Sequence, residues 1–174
     1  QAKRWKGFCN KAWGSKELSF ENETFEEKST IPCESDCPKI TLDIPIAKNI
    51  PVVSDSINKK VFNVIKEIIY FGEDSTKVND YKSLAKSFIE SYEEMHKKFP
   101  NDTFGWEAKI TGNVEFESEQ ILNLKIDHYT FTGGAHGYQG YRSLLFNPKT
   151  GKVIFNDQIF KNQKEFKQLL NYSM

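Results

Sequence analysis

The sequence has no surplus of charge. Its 24 Lys and Arg residues are balanced by 24 Asp and Glu, so the formal net charge is zero. Nucleic-acid binding draws much of its affinity from cations that neutralise phosphates, and a chain without a basic excess lacks that footprint. No nucleic-acid partner is expected. Long hydrophobic runs are missing too. No apolar stretch approaches the ~20 residues of a membrane-spanning helix, so no membrane span is expected. No signal peptide is visible in the sequence, which is numbered from Gln1. A mature secreted chain has already lost its leader, and a lipid anchor ahead of Gln1 stays compatible with the sequence, so this absence does not mean the cytoplasm.

Histidine and cysteine are scarce. The three histidines, His96, His128 and His136, are scattered. A metal-dependent hydrolytic site needs a close set of His and carboxylate ligands, and no such spacing is visible. No metal, cofactor or catalytic residue is expected. The cysteines, Cys9, Cys33 and Cys37, all lie in the first 37 residues, and two of them sit among Pro32, Asp36 and Pro38. Proline and aspartate beside cysteine mark a loop, and loop cysteines are best explained as a disulfide in an oxidising compartment. The spacing C-x23-C-x3-C matches no common zinc finger. Cys33 could pair with Cys37, or Cys9 with either, and sequence does not choose.

The patterns that are present divide the chain of 174 residues into three parts. Residues 1–16 form a basic, aromatic N-terminal arm with Trp5, Phe8 and Trp13 as docking groups. Residues 17–103 form a smaller lobe. In it "ITLDIPI" alternates as a half-buried strand, with Pro45 placing its end on an edge. Ile57, Val61, Val64, Ile65, Ile68 and Ile69 draw one apolar stripe on a helix capped by Ser54 or Asp55. A second helix runs from about Asp80 to Phe99. Residues 104–174 form a sheet lobe. Trp106, Ala108, Ile110, Val114 and Phe116 alternate with polar residues, and so do Leu122, Leu124, Ile126 and His128. Two more strands flank the turn Asn147–Gly151, and a helix with Asn162 and Glu165 at its start breaks off at Met174, as if the native protein continues. The fold class is α+β: a curved antiparallel sheet with helices packed on one face, in two fused lobes.

The stretch "YTFTGGAHGYQGYR", Tyr129 to Arg142, holds four glycines, four aromatics and one histidine. It is no phosphate loop, because the Lys-Ser/Thr is missing and a strand follows. The dinucleotide fingerprint fails for want of a helix, and the nucleophile elbow for want of a serine. Glycines at a sheet margin permit a sharp bend. Bare backbone flanked by aromatic rings also suits sugar or peptide recognition. The candidate ligand-binding residues are Tyr129, Phe131, Gly133, Gly134, His136, Tyr138, Tyr141 and Arg142. His96 reads as a solvated helix residue and His128 as a satisfied core histidine.

The run "YTFTGGAHGYQGYRSLLFNPKTGKVI" resembles a bacterial extracytoplasmic domain family with a Thr-Gly-Gly-Ala-His-Gly segment and a Lys-Thr-Gly-Lys turn. That family supplies the sensory domain of lysozyme-responsive anti-sigma-V factors. It also supplies the N-terminal region of certain peptidoglycan N-acetylmuramic acid deacetylases. Upstream, "ITLDIPI" and "INKKVFNVIKEII" resemble the smaller domain that usually precedes the motif. The resemblance implies a secreted, periplasmic or lipoprotein location and a two-lobed α+β fold. The chain has no sigma-binding segment and no attached deacetylase domain. The expected function is therefore a non-enzymatic envelope binding or sensing domain, with a peptidoglycan or glycan fragment, or an envelope protein such as lysozyme, as partner. The alternative is an accessory region or enzyme of deacetylase or hydrolase type acting on peptidoglycan, with a site near His136, Asp127 and Tyr129. A third reading is a purely structural lipoprotein domain.

Overall fold

The computed structural model describes residues 17–33, 35–72, 75–101 and 104–155. The arm at 1–16 with Cys9, and the helix expected around Asn162 and Glu165, lie outside the described residues. In chain order the elements are β1 (Ser19–Lys28), β2 (Lys39–Lys48), α1 (Pro51–Ile69), a single 3-10 turn (Ser75–Lys77), α2 (Tyr81–Lys98), β3 (Glu107–Glu117), β4 (Leu122–Phe131) and β5 (Tyr138–Phe146).

One five-stranded sheet runs in the order β1-β2-β3-β4-β5. The β1–β2, β3–β4 and β4–β5 pairs are antiparallel, while β2 and β3 are parallel, with Lys39–Asp43 beside Glu107–Thr111. The sheet is thus mixed rather than purely antiparallel as expected. The reason is the crossover: α1 and α2 carry the chain from the end of β2 back to the starting end of the sheet, and a long helical connection permits a parallel neighbour. The single sheet also joins strands from both expected lobes. β1 went unassigned in the sequence because Glu21, Glu23, Glu26 and Glu27 mask its alternation. An acidic outermost strand resists pairing with other chains.

α1 starts differently from the expected Ser54 or Asp55 cap. Pro51 occupies the first helical turn, where its missing N–H costs nothing, and Ile50 O accepts from Ser54 N at 2.7 Å. α2 begins at Asp80, whose carboxylate accepts from Ser83 N at 2.6 Å while the Ser83 hydroxyl accepts from Asp80 N. That reciprocal box holds the Asp80 carboxyl below its ordinary value, chiefly through the backbone bond from Ser83.

The core lies between the helices and one sheet face. Ile40, Leu42 and Ile44 of β2, Ile57, Ile65 and Ile69 of α1, Leu84 of α2, and Ile110, Leu122, Leu124 and Ile126 of β3 and β4 are fully buried. Each such side chain contributes on the order of 1.5–3 kcal/mol by leaving water. In β3 the expected alternation fails at one place. The register slips between Val114 and Phe116, so Val114 faces Leu124 but Phe116 faces Asn123. The one-residue bulge at Glu115 moves Phe116 to the opposite face, where it is 55% exposed.

Pro45 sits beyond the last β2–β3 partner, as an edge position should. Where β3 no longer covers β2, the Asn58 amide of α1 takes its place. Asn58 Oδ1 accepts from Ala47 N at 2.8 Å, and Asn58 Nδ2 donates to Ala47 O at 3.0 Å. Asn58→Ala leaves both backbone groups unpaired at a half-buried position, and urea unfolding is expected to show a loss of about 1–3 kcal/mol.

Candidate functional site

Pairing aligns four strand positions at one end of the sheet. Lys28 of β1 faces Lys39 of β2, Lys39 faces Glu107 of β3, and Glu107 faces Phe131 of β4. Residues alternate across a strand, so these four share the face turned away from the helices. The next row on that face is Glu26, Thr41, Lys109 and Tyr129. A cleft of about 740 Å³ opens here. Its floor carries Lys28, Lys39, Glu107, Tyr129 and Phe131, one wall is Ala135-His136-Gly137, and the other is Asp36-Cys37 with Phe104-Gly105.

Local chemistry fixes both walls. Cys33 and Cys37 form a disulfide, which settles the pairing left open by the sequence. Asp36 in that loop has φ 49°, and its carbonyl lies so close to Gly105 that a Cβ there has no room. On the other side Gly133 and Gly134 have φ of 109° and 96°, a region that L-residues rarely enter. They turn the chain sharply between β4 and β5, and Gly137 then meets the Tyr129 ring, again without space for a Cβ. The loop backbone thereby lies against the ring of Tyr129.

Charge inside the cleft is partly neutralised. Lys39 Nζ lies 3.1 Å from Glu107 Oε1. Lys28 makes no ion pair, and His136, which is exposed, makes no side-chain hydrogen bond among the described residues.

The eight expected residues divide between two faces. Tyr129, Phe131 and His136 line the cleft, and Gly133 and Gly134 shape its wall. Tyr141 shares the outer face but lies outside the cleft, opposite Asp127, with Lys125 Nζ 5.6 Å from its ring centroid. Tyr138 and Arg142 alternate with Tyr141 and so face the helix side. Asp127 is on the outer face, paired with Lys125 at 3.1 Å rather than drawn to His136. Among the described residues, no three His, Cys, Asp or Glu side chains gather as metal ligands. The cleft residues that sequence reasoning missed are Lys28, Asp36, Lys39, Phe104, Gly105 and Glu107. They come from three distant segments, and only strand register brings them together. A second, larger groove of about 940 Å³ runs along α2 beside Phe71 and Trp106, and none of the eight lines it.

His128 occupies the helix-side face beneath Tyr138, whose ring stacks on it at 5.5 Å. It is only 4% exposed, and neither ring nitrogen has a partner, so the expected satisfied histidine is instead an unsatisfied one. Ile110 and Gly140 are its strand neighbours. His96, expected to be solvated, is half-buried and stacks on Tyr92 at 5.8 Å.

The sequence profile of the deacetylase PdaC family matches residues 31–139, more than half of the chain. The chain belongs to this family. The matched span takes in β2, both helices and the whole glycine loop. A DUF3298-family protein from Bacteroides fragilis is similar in structure, with a TM-score of 0.65 and 20% identity over 90% of this chain and 67% of that one. A DUF3298-family protein from Pseudomonas aeruginosa gives 0.54 and 16% over 88% and 63%. At these identities the likeness is one of fold, and the chain spans about two thirds of each. No curated protein matches the sequence.

Burial lowers the pKa of His128 from its ordinary 6.5; the Arg142 charge acts in the same direction and Asp127 opposes both. A folded value below the unfolded one gives stability that is full above about 6.5 and is lost as pH falls through the folded value. Urea midpoints of the native chain are expected to drop between pH 7.5 and 5, and His128→Leu to flatten that drop.

Proposed function

We propose that this chain is a non-enzymatic binding or sensing domain of the bacterial envelope, which holds a peptidoglycan or other glycan fragment, or a loop of an envelope protein such as lysozyme, in the cleft beside His136. The observation that carries the reading is the open cleft itself. Its volume of about 740 Å³ falls within the usual range for small-ligand sites. Tyr129, Phe131 and Phe104 give it aromatic surface, while Lys28, Lys39, Asp36 and His136 give it polar groups that can fix an orientation. The family and the Cys33–Cys37 bridge, which persists best in an oxidising compartment, support an extracytoplasmic location. Among the described residues, strands from both sides of the proposed boundary at residue 103 belong to one sheet.

Equilibrium binding of muropeptides and of lysozyme to the purified chain tests the proposal. Tyr129→Ala and His136→Ala are expected to weaken binding, the first by about tenfold, the size of one aromatic contact. Tyr138→Ala, on the opposite face, is expected to leave it unchanged. Equal binding by all three variants would remove the cleft from the account. Release of acetate from N-acetylated glycan by the chain alone would overturn the non-enzymatic reading.

A further inference from the structure

We infer that the ligand is an extended, uncharged glycan strand, which leaves the cleft and runs along β4 on the outer sheet face over Tyr141 to Phe116. The inference rests on the cleft reading above and adds the polymer and its path. Strand register supplies the path. From the cleft outward the rows of this face are Phe131 with Glu107, then Tyr129 with Lys109 and Gln139, then Asp127 with Thr111 and Tyr141. Lys125 with Asn113 and Ser143 follows, and Asn123 with Phe116 and Leu145 ends it.

Aromatic rings recur along this path rather than clustering. Tyr129 and Tyr141 are diagonal neighbours, roughly 7–8 Å apart at the backbone. Phe116 reaches this face only because the bulge at Glu115 turns it there. At a rise of about 3.3 Å per residue, the distance from the Phe131 row to the Asn123 row is roughly 27 Å. Tyr141 is 65% exposed and Phe116 55% exposed, although both are strand residues.

The groups between the rings decide the chemistry. Lys125 pairs with Asp127 at 3.1 Å, and Lys39 with Glu107 at 3.1 Å, so these four charges cancel locally, and Lys109 is the single cation of the path without an ion pair among the described residues. Beside Lys109, the groups left to meet a ligand are Thr111, Asn113, Asn123, Gln139 and Ser143, which both donate and accept. The Ser143 hydroxyl already donates to Asn123 Oδ1 at 2.7 Å, which leaves the Asn123 amide N–H groups to donate outward. A polyanion would need a row of unpaired cations along the track, and Lys109 is a single one. A protein interface would bury its aromatic anchors together in a dry centre. Spaced single rings with hydroxyl and amide groups between them fit a polymer of hydroxyl- and amide-bearing rings.

Calorimetric titration with β-1,4-linked N-acetylglucosamine oligomers, from disaccharide to hexasaccharide, tests this. Affinity is expected to rise at least about tenfold across the series, the size of one further aromatic contact. Tyr141→Ala and Phe116→Ala are expected to remove the gain while leaving disaccharide affinity unchanged, which also shows that the variants fold. Equal affinity for all lengths, or an equal loss at every length in Tyr141→Ala, overturns the path. Binding of muropeptides in the cleft without binding of any neutral oligomer overturns the uncharged strand and leaves the cleft reading standing. Failure of every glycan and of lysozyme to bind overturns both.

Discussion

The structure depends on the parallel pairing of β2 with β3. Five residues of each strand, Lys39–Asp43 and Glu107–Thr111, join a hairpin made early in the chain to a meander made late. The Lys39 N–H donates to Trp106 O at 2.9 Å, so the contact begins just before β3 does. Without this pairing the β1–β2 ribbon would have only helices to pack on, and two strands alone are marginal in water. With it, one sheet presents a continuous apolar face to α1 and α2 and leaves the other face open. The Lys28-Lys39-Glu107-Phe131 row exists only because the three pairings are in register.

The two faces then answer to different constraints. On the helix side, burial decides residue identity: Ile40, Leu42, Ile110 and Leu124 have no exposed surface. His128 breaks that rule, since it is buried with both nitrogens unmatched under the exposed Tyr138. On the outer side, side chains pair with one another across strands and keep water contact. Lys39 and Lys125 are neutralised by Glu107 and Asp127, and aromatic rings stand among them. An aromatic ring left open on a rigid strand offers contact area that loses little entropy when a ligand covers it.

The cleft walls show how backbone conformation can stand in for side chains. Gly133 and Gly134 supply dihedral angles that other residues resist, and Gly105 and Gly137 supply room where backbone or ring must approach closely. The disulfide closes the loop that carries Asp36 against Gly105.

Much of this was legible in the residues themselves. The stripes of α1 and α2, the inward sets of β2 and β4, and the Asn147–Gly151 turn follow from local periodicity and turn chemistry, because each is decided within a few residues. The glycine-aromatic stretch stood out as a bend with open backbone for the same local reason, and family membership rested on it and on the strand and helices ahead of it. β1 was hidden because glutamates fill positions on both of its faces, so its alternation in burial does not show as an alternation of residue type. Tertiary structure alone decided which strands are neighbours, which cysteines pair, and that Tyr138 and Arg142 turn away from Tyr129 and His136. It also decided that Lys28, Asp36, Phe104 and Glu107 share one cleft. Such contacts depend on register between segments far apart in the chain, and no local pattern encodes a register.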